Sequence, residues 1–276
     1  MSAHNKQLNA ENFGADRPVL LVLDYPGRRP EAHISDLGLE REGFDCHYLL
    51  AHPLPNEVTA EHYAKETCAR LPELPTGVVG VLSYCATAPL AATIASYAAG
   101  DDRLPLPVVF FDPSQCYVHH IVSAYESVVR QIDGTGSGDH PIPLLDIPAL
   151  LAHPRQLVDS VAQDLGRRAE AALLAEGYAL DEASDLLGQV TGLYLEWITY
   201  LVAVHHRGSY VQPGDVLHVV SRNHPDNASW LGADGPAQNI RIDCDRPSLL
   251  RDERTRDVVL GFLHHVAGRR TETART

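Results

Sequence analysis

The chain has 276 residues, of which 45% are hydrophobic, and its formal net charge is −14 at pH 7. This negative charge argues against binding to nucleic acid or to an acidic membrane surface, because like charges repel. No apolar run is long enough to span a bilayer, and residues 1–16 lack the apolar core of a signal peptide, so we expect a cytoplasmic protein without a membrane segment.

The first half of the chain alternates buried apolar runs with helical patterns. The pattern predicts strands at residues 18–23, 44–50, 77–82 and 106–111, and helices at residues 59–71 and 88–99. Continuous apolar strands joined by helices are typical of parallel sheets that are covered on both faces. We therefore predict an α/β fold with a mostly parallel sheet.

Helices dominate the next part of the chain. They are predicted at residues 118–132, 157–174 and 181–205, followed by strands at 216–221 and 240–242 and a last helix at 254–266. We predict a single domain at residues 17–270 with a helical insertion at about residues 114–207. Flexible tails are predicted at residues 1–16 and 269–276. Insertions of this kind commonly form lids over active sites.

Cysteine and histidine are both frequent enough to suggest metal or redox chemistry, but their spacing argues against it. The five cysteines are odd in number and form no Cys-x-x-Cys pair, which favours free thiols over a disulfide framework. None of the fifteen histidines stands at a zinc-binding spacing from cysteine or carboxylate partners, so no metal site is predicted.

One predicted strand ends in a motif that carries chemistry. Residues 78–82 lead into Ser83-x-Cys85-x-Thr87 and then into an alanine-rich helix. A nucleophile at the turn from a strand to a helix is the nucleophile elbow, here with a thiol in place of the usual serine. The N-terminus of the following helix favours the thiolate form. The alternative is that Cys85 is a small core residue without a chemical role.

An elbow of this kind also supplies part of an oxyanion hole. The amide of Ala86 would form one half of it, since it begins the helix after the nucleophile. The second amide should come from the loop after the first strand, near Tyr25 or Gly27.

On these residues the chain resembles type II-like thioesterases of the α/β-hydrolase superfamily, which serve nonribosomal peptide and polyketide synthesis. The similarity extends over about residues 17–268 and lies in motif order more than in identity. In that family an acidic residue often closes the strand after the nucleophile's helix, and Asp112 occupies that place. An Asp before a proline is also a common strand-end cap, which is the alternative for Asp112. The resemblance implies an α/β-hydrolase fold with a helical lid.

The chain departs from the family at the histidine, which normally precedes a leucine pair in a loop before the last helix. Here Arg246, or its neighbour Asp245, stands at that place before Leu249-Leu250. Neither side chain relays protons near neutral pH as imidazole does. His224 is the nearest substitute, with an ordinary loop histidine as the alternative, and the predicted lid pair His205-His206 is a weaker candidate.

A cysteine nucleophile without its histidine favours acyl transfer or cyclisation over hydrolysis. A thiolate or an amine attacks a thioester with little help, whereas water needs a base. We therefore expect a Cys85 acyl-enzyme that acts on acyl or peptidyl thioesters, with Tyr84 and Arg246 contacting the substrate. Two alternatives stay open: a release or editing thioesterase that uses His224 as its base, and a non-catalytic module that binds a carrier protein.

The resemblance also implies a partner. The substrate would be tethered to the phosphopantetheine of an acyl or peptidyl carrier protein, and no other cofactor is expected. Because such carriers are acidic, the docking face should be locally basic. The pairs Arg28-Arg29 and Arg167-Arg168 are candidates, with an ordinary solvated surface as the alternative for both.

Overall fold

The computed structural model describes residues 17–25, 31–70, 77–99, 106–134, 144–178, 180–206, 214–225 and 237–273. The strands in this part are β1 (Val19–Leu23), β2 (Asp45–Tyr48), β3 (Val78–Tyr84), β4 (Val108–Phe111), β5 (Val216–Val220) and β6 (Ala237–Arg241). They form one sheet in the order β2-β1-β3-β4-β5-β6, and every neighbouring pair is parallel. The predicted parallel sheet is therefore confirmed.

The helices are α1 (Ala60–Ala69), α2 (Ala88–Ala99), α3 (Val118–Ile132), α4 (Ile147–Leu150), α5 (Pro154–Ala175), α6 (Leu180–His205) and α7 (Glu253–Thr273). The predicted helices begin and end within a few residues of these bounds, with α7 as the exception. It continues to Thr273, beyond residue 269 where the tail was predicted, and Arg269 in its last turns pairs with Asp215 at 2.6 Å.

The chain divides into two compact units. The sheet unit contains the described residues up to His52, Ala64–Gln115 and those from 214 onward, and the helical unit contains Pro53–Tyr63 and residues 116–206. The second segment of the helical unit lies close to the insertion that the sequence predicts at 114–207. The first segment, before the middle of α1, has no counterpart in that prediction.

The sheet unit has apolar strands because both faces of the sheet are covered. β1, β4 and β5 are buried at every position. The alanine-rich helix α2 packs on β3 and β4, and α7 packs on β3 and β5. A methyl group at Gly80 would lie 3.3 Å from the Leu263 side chain, so glycine permits the close approach of α7 to β3. These layers hold the strand ends rigidly.

The helical unit is built from α3, α5 and α6, which pack on one another. Its buried charge is Asp164, which accepts hydrogen bonds from Tyr125 at 2.5 Å and from Arg168 at 2.6 Å. Arg167 also pairs with Asp164, and Arg168 pairs with Asp133 at 2.7 Å. The predicted docking pair Arg167-Arg168 is therefore neutralised by neighbouring carboxylates. The other predicted pair, Arg28-Arg29, lies outside the described residues.

No helix in the described ranges is both long enough and apolar enough to cross a bilayer.

Candidate active site

The backbone at Cys85 has the strained geometry of a nucleophile elbow. β3 ends at Tyr84, and Cys85 then takes a φ of +56° before one turn of 3-10 helix leads into α2. A left-handed backbone costs a residue with a side chain about 1–2 kcal/mol. Asp112, directly after β4, is the one other non-glycine residue with positive φ in the described part of the chain, at +40°. The predicted nucleophile and the predicted acid therefore both have a strained backbone, directly after β3 and β4.

Thr87 holds the elbow in this conformation. Its buried Oγ1 accepts a hydrogen bond from the Tyr84 amide at 3.1 Å. The same oxygen lies 2.9 Å from the carbonyl oxygens of Leu23 and Tyr84, to one of which its hydroxyl donates. A buried hydrogen bond of this kind contributes about 1 kcal/mol. Thr87 therefore offsets much of the strain at Cys85.

The predicted oxyanion donors, Ala86 and Tyr25, follow two neighbouring strands at one edge of the sheet. Ala86 lies in the first helical turn, where amides have no intrahelical acceptor. Leu23 pairs with Ser83 in the sheet, so Tyr25 follows β1 at the same edge and register as Cys85 follows β3. Gly27, the alternative donor, lies outside the described residues.

The sulfur of Cys85 accepts a hydrogen bond from a cation at the place where the resemblance predicts an imidazole. Arg246 Nη2 donates to the sulfur at 2.7 Å, and the Ser114 hydroxyl lies 3.4 Å from it. Arg246 Nε donates to the Tyr84 hydroxyl at 3.0 Å, and the guanidinium carbon lies 5.5 Å from the centre of the Tyr84 ring. A carboxylate oxygen of Glu31 is 3.8 Å from the same nitrogen. We call Tyr84, Cys85, Ser114 and Arg246 the sulfur cluster.

The electrostatics of this cluster keep its guanidinium charged. Partial burial by itself lowers the pKa of Arg246, but the Cys85 sulfur and the Tyr84 hydroxyl raise it above its ordinary value. Burial raises the pKa of Tyr84 to about 12, so its hydroxyl stays neutral and accepts the bond from Arg246. Tyr84 is only 4% exposed and packs in the core, and its hydroxyl positions Arg246. The expected contact of Tyr84 with a substrate stays a prediction.

Local sequence fixes the place of Arg246. It begins a 3-10 helix, and Asp245 caps that helix by accepting a hydrogen bond from the Ser248 amide at 3.1 Å. Leu249 and Leu250 are buried in the core of the sheet unit and anchor the other end. Of the two residues that could replace the family histidine, Arg246 therefore reaches the sulfur, and Asp245 serves as the cap.

A second group of polar side chains surrounds Asp112, which is fully buried. Its carboxylate accepts hydrogen bonds from the Ser221 amide at 2.7 Å and the Ser221 hydroxyl at 2.8 Å. His224 Nδ1 lies 3.5 Å from the same carboxylate, which is an ion-pair distance and too long for a good hydrogen bond. We call Asp112, Ser221 and His224 the imidazole cluster.

The surroundings of His224 favour the neutral form of its imidazole. Its side chain is 11% exposed, and this burial lowers its pKa. The Asp112 carboxylate opposes the shift and the Arg246 guanidinium reinforces it. The loop is held in place by Arg241, which donates to the carbonyl oxygens of Ser221, Arg222 and His224 at 2.8–2.9 Å.

The two clusters meet along one short segment of backbone. The His224 ring is hydrogen-bonded to the Pro113 carbonyl and lies 3.5 Å from the Asp112 carboxylate, and the next residue, Ser114, contacts the Cys85 sulfur. No hydrogen bond joins His224 to Cys85, both of which belong to the described part of the chain. Within the described residues, the imidazole is therefore not a hydrogen-bond partner of the sulfur.

Three of the other four cysteines lie in environments that suppress the thiolate. Burial and the Glu40 carboxylate raise the pKa of Cys46 to about 12, and burial raises that of Cys68 to about 11. Burial, with nearby carboxylates, also raises the pKa of Cys244. Cys116 is buried and donates to a backbone carbonyl. The Cys85 sulfur, by contrast, accepts a hydrogen bond from a guanidinium.

Some of the contacting residues were not predicted from the sequence. These are Glu31, Thr87, Pro113, Ser114 and Ser221. Ser221 is the last residue of a predicted strand, and Ser114 follows Asp112 by two positions, so both stand at strand ends where parallel strands place functional groups. The predicted candidates His205 and His206 belong to the helical unit, where His205 Nδ1 lies 2.9 Å from the Cys116 carbonyl.

No family model matches the chain, and no curated protein is significantly similar to it in sequence. Solved structures are similar in fold. A four-domain nonribosomal peptide synthetase bound to AMP and glycine aligns with 89% of this chain over 19% of its own length, at 14% identity and a TM-score of 0.51. The Vlm2 thioesterase domain bound with a dodecadepsipeptide aligns over 90% of this chain and 93% of its own, at 14% identity and a TM-score of 0.47.

An epoxide hydrolase of the α/β-hydrolase superfamily from a hot-environment metagenome aligns over 91% of both chains, at 13% identity and a TM-score of 0.39. At identities this low the similarity bears on the fold alone. With its parallel sheet and its strained strand-to-helix turn, the chain has the α/β-hydrolase fold, as the sequence predicts.

Proposed function

We propose that the chain is a thioesterase-like enzyme of secondary-metabolite biosynthesis that works through a Cys85 acyl-enzyme. It takes an acyl or peptidyl group from a carrier-bound thioester and passes it on, in preference to hydrolysing it. The observation that carries the proposal is the strained Cys85, whose sulfur is bonded to Arg246 instead of an imidazole.

The chemistry follows from that pair. A guanidinium stabilises negative charge on the sulfur, and the thiolate is the nucleophilic form of cysteine. The thiolate attacks the thioester carbonyl, the carbonyl oxygen takes up negative charge towards the amides of Ala86 and Tyr25, and the pantetheine thiolate leaves. Both the donor and the acyl-enzyme are thioesters of similar energy, so the group remains transferable.

The partner we propose is an acyl or peptidyl carrier protein with phosphopantetheine. The net charge of −14 requires a locally basic docking face on this chain. Arg167 and Arg168 do not supply one, since Asp133 and Asp164 compensate their charges. No cofactor other than the carrier's tether enters the proposal.

A release thioesterase is the second candidate. It is favoured by the imidazole cluster, in which a neutral His224 lies 3.5 Å from the Asp112 carboxylate and is available to activate water. A non-catalytic carrier-binding module is the third. The strained backbone at Cys85 argues against it, because strain of this kind is retained where the geometry has a use.

The test is incubation of the full chain with S-acyl-pantetheine, followed by acid quenching and intact-protein mass spectrometry. We expect an adduct of one acyl mass on wild type and on Cys46→Ala, but none on Cys85→Ala. The adduct should disappear, with formation of a new thioester or amide, when a thiol or an amine is added. Rapid release of free acid that depends on His224 would instead identify a thioesterase, and absence of both adduct and product would favour the binding module.

A further inference from the structure

In this chain the nucleophile and the acid, which usually contact the same imidazole, belong to two separate clusters. In a serine triad one histidine takes the nucleophile's proton and later activates the second substrate. Here the sulfur is hydrogen-bonded to Arg246 and Ser114, whereas the His224 ring is hydrogen-bonded to the Pro113 carbonyl and lies 3.5 Å from the Asp112 carboxylate. No hydrogen bond joins the imidazole to the nucleophile in the described part of the chain.

The sulfur does not need the imidazole in either direction of the reaction. Arg246 stabilises the thiolate that attacks, and it stabilises the same thiolate when Cys85 leaves from the acyl-enzyme. A leaving group that departs as a paired anion needs no proton. The sulfur therefore needs neither a general base nor a general acid. The one proton transfer left for such a group is removal of a proton from the acceptor.

Acceptors differ in whether they carry a proton that must be removed. A thiol is already a few per cent thiolate at pH 7 and attacks in that form. An amine or a water molecule attacks through a neutral atom and must lose a proton as the new bond forms. Only the second kind of acceptor gains from a base beside the acyl group.

We propose that His224, positioned by Asp112, is the base for a protic acceptor that attacks the Cys85 acyl-enzyme, and that it has no part in forming the acyl-enzyme. This inference rests on the proposed function of Cys85. In the step, the amine nitrogen or water oxygen forms a bond to the acyl carbon, and the bond from that carbon to the Cys85 sulfur breaks. The electron pair returns to the sulfur as the thiolate beside Arg246, and the acceptor's proton goes to His224. The product is an amide or a free acid, and His224 then gives its proton to solvent.

The burial of His224 is consistent with this role, since it lowers the pKa of the imidazole and leaves the base form populated at neutral pH. Arg241 fixes the backbone of the loop through three carbonyl oxygens, so the ring does not depend on the sulfur for its position. The imidazole is thus preorganised before an acyl group arrives.

The experiment separates the two half-reactions. Acyl-enzyme is formed with S-acyl-pantetheine, freed of excess donor by rapid desalting, and then mixed with pantetheine, with glycinamide or with buffer alone. Intact-protein mass spectrometry follows the loss of the adduct. The variants are His224→Asn, whose amide can still donate towards Asp112 but which has no base, and the surface control His47→Asn. Thermal unfolding of each variant checks that it is folded.

For His224→Asn we expect formation of the acyl-enzyme and transfer to pantetheine to stay within about twofold of wild type. Transfer to glycinamide and hydrolysis should each fall by about 100-fold or more, the usual contribution of a general base. The ratio of amide to free acid in wild type then identifies which protic acceptor is used.

The inference is overturned if His224→Asn slows formation of the acyl-enzyme as much as its loss, or if it slows transfer to all three acceptors equally. It is also overturned if glycinamide and water react at wild-type rates. Absence of any adduct on wild-type protein is a different result, because it refutes the proposed function of Cys85 and the inference with it.

Discussion

The two clusters at the carboxyl edge of the sheet stabilise charge in different ways. In the sulfur cluster the charged group is the guanidinium of Arg246, which lies 2.7 Å from the Cys85 sulfur. The Arg246 side chain is 42% exposed. In the imidazole cluster the charged group is a carboxylate with no exposed surface, satisfied by two hydrogen bonds from Ser221. In the proposed mechanism, one cluster stabilises an anion that forms and leaves, and the other positions a base.

In the proposed mechanism, a cysteine at a nucleophile elbow attacks without the histidine and acid of a catalytic triad. A hydroxyl must give up its proton to a base during attack, whereas a thiol is acidic enough that a neighbouring cation suffices. In the proposed mechanism Arg246 stabilises the sulfur, so the histidine and its acid take no part in the first half-reaction. The fold keeps Asp112 at the usual strand end, and His224 stands after the next strand of the sheet.

The largest effect that we predict concerns the imidazole cluster. Asp112→Asn should reduce transfer from the acyl-enzyme to glycinamide by roughly 100-fold, because the carboxylate that orients His224 and stabilises its protonated form is lost. Formation of the acyl-enzyme should be almost unchanged. The half-reaction assay described above measures both rates, and Asp45→Asn, an exposed carboxylate on β2, is the control.

If Asp112 acts through His224, the double variant Asp112→Asn/His224→Asn should be no slower than His224→Asn alone. Effects that multiply would contradict a single cluster. They would indicate that Asp112 acts on the elbow through its strained backbone, independently of the imidazole.

A smaller effect is predicted for the sulfur cluster. Arg246→Met should slow alkylation of Cys85 by iodoacetamide at pH 7 by about 10- to 100-fold, since a hydrogen bond to a charged group contributes roughly 1.5–3 kcal/mol. Peptide mapping after partial labelling measures the rate at Cys85 and at the four other thiols. Cys46 is the internal reference, because burial and Glu40 raise its pKa to about 12.

Arg251→Met is the matched control for Arg246→Met. Arg251 ends the same 3-10 helix, but it is 60% exposed and pairs with Asp36 on the surface. An unchanged rate at Cys85 in Arg246→Met would show that the guanidinium does not activate the sulfur, and the division of roles between the clusters would then fail at its first step.

Local patterns in the sequence were enough to predict most of the fold and both strained residues. Apolar runs and their ends predicted the strands, the motif at one of those ends pointed to Cys85, and the resemblance to the thioesterases pointed to Asp112. Alternation along β3 also contained information that the prediction did not use. Leu82 and Tyr84 share one face of the sheet and the same apolar core, which places the Tyr84 ring in that core.

The contacts between distant residues were not predictable in this way. Arg246 is 161 positions from Cys85, and it reaches the sulfur only because Asp245 caps its helix and Leu249 and Leu250 anchor that helix in the core. Similarly, the hydrogen bonds from Ser221 to Asp112 depend on the order of β4 and β5 in the sheet. The match in motif order located Arg246 at the position of the expected histidine, but it did not predict the hydrogen bond from Arg246 to the Cys85 sulfur.

The smallest predicted effect is a pair of opposite shifts in pH dependence. Transfer to glycinamide requires neutral His224, so its rate, divided by that of uncatalysed aminolysis at the same pH, should fall as pH falls through the pKa of His224. We call this fall the acid limb of the pH–rate profile. In wild type the acid limb lies below the ordinary pKa range of histidine, because burial lowers the pKa of His224. The Asp112 carboxylate raises the pKa, and the Arg246 and Arg241 guanidiniums lower it.

Asp112→Asn removes a charge that favours protonated imidazole, so its limb should move to lower pH. Arg246→Met removes a charge that opposes protonation, so its limb should move to higher pH and the rate should begin to fall nearer neutrality. His218, the other histidine near this cluster, does not add a limb of its own, because burial lowers its pKa to about 4. Shifts in the same direction in both variants would mean that a group other than His224 sets the limb, since no single imidazole between a carboxylate and a guanidinium responds alike to losing either charge.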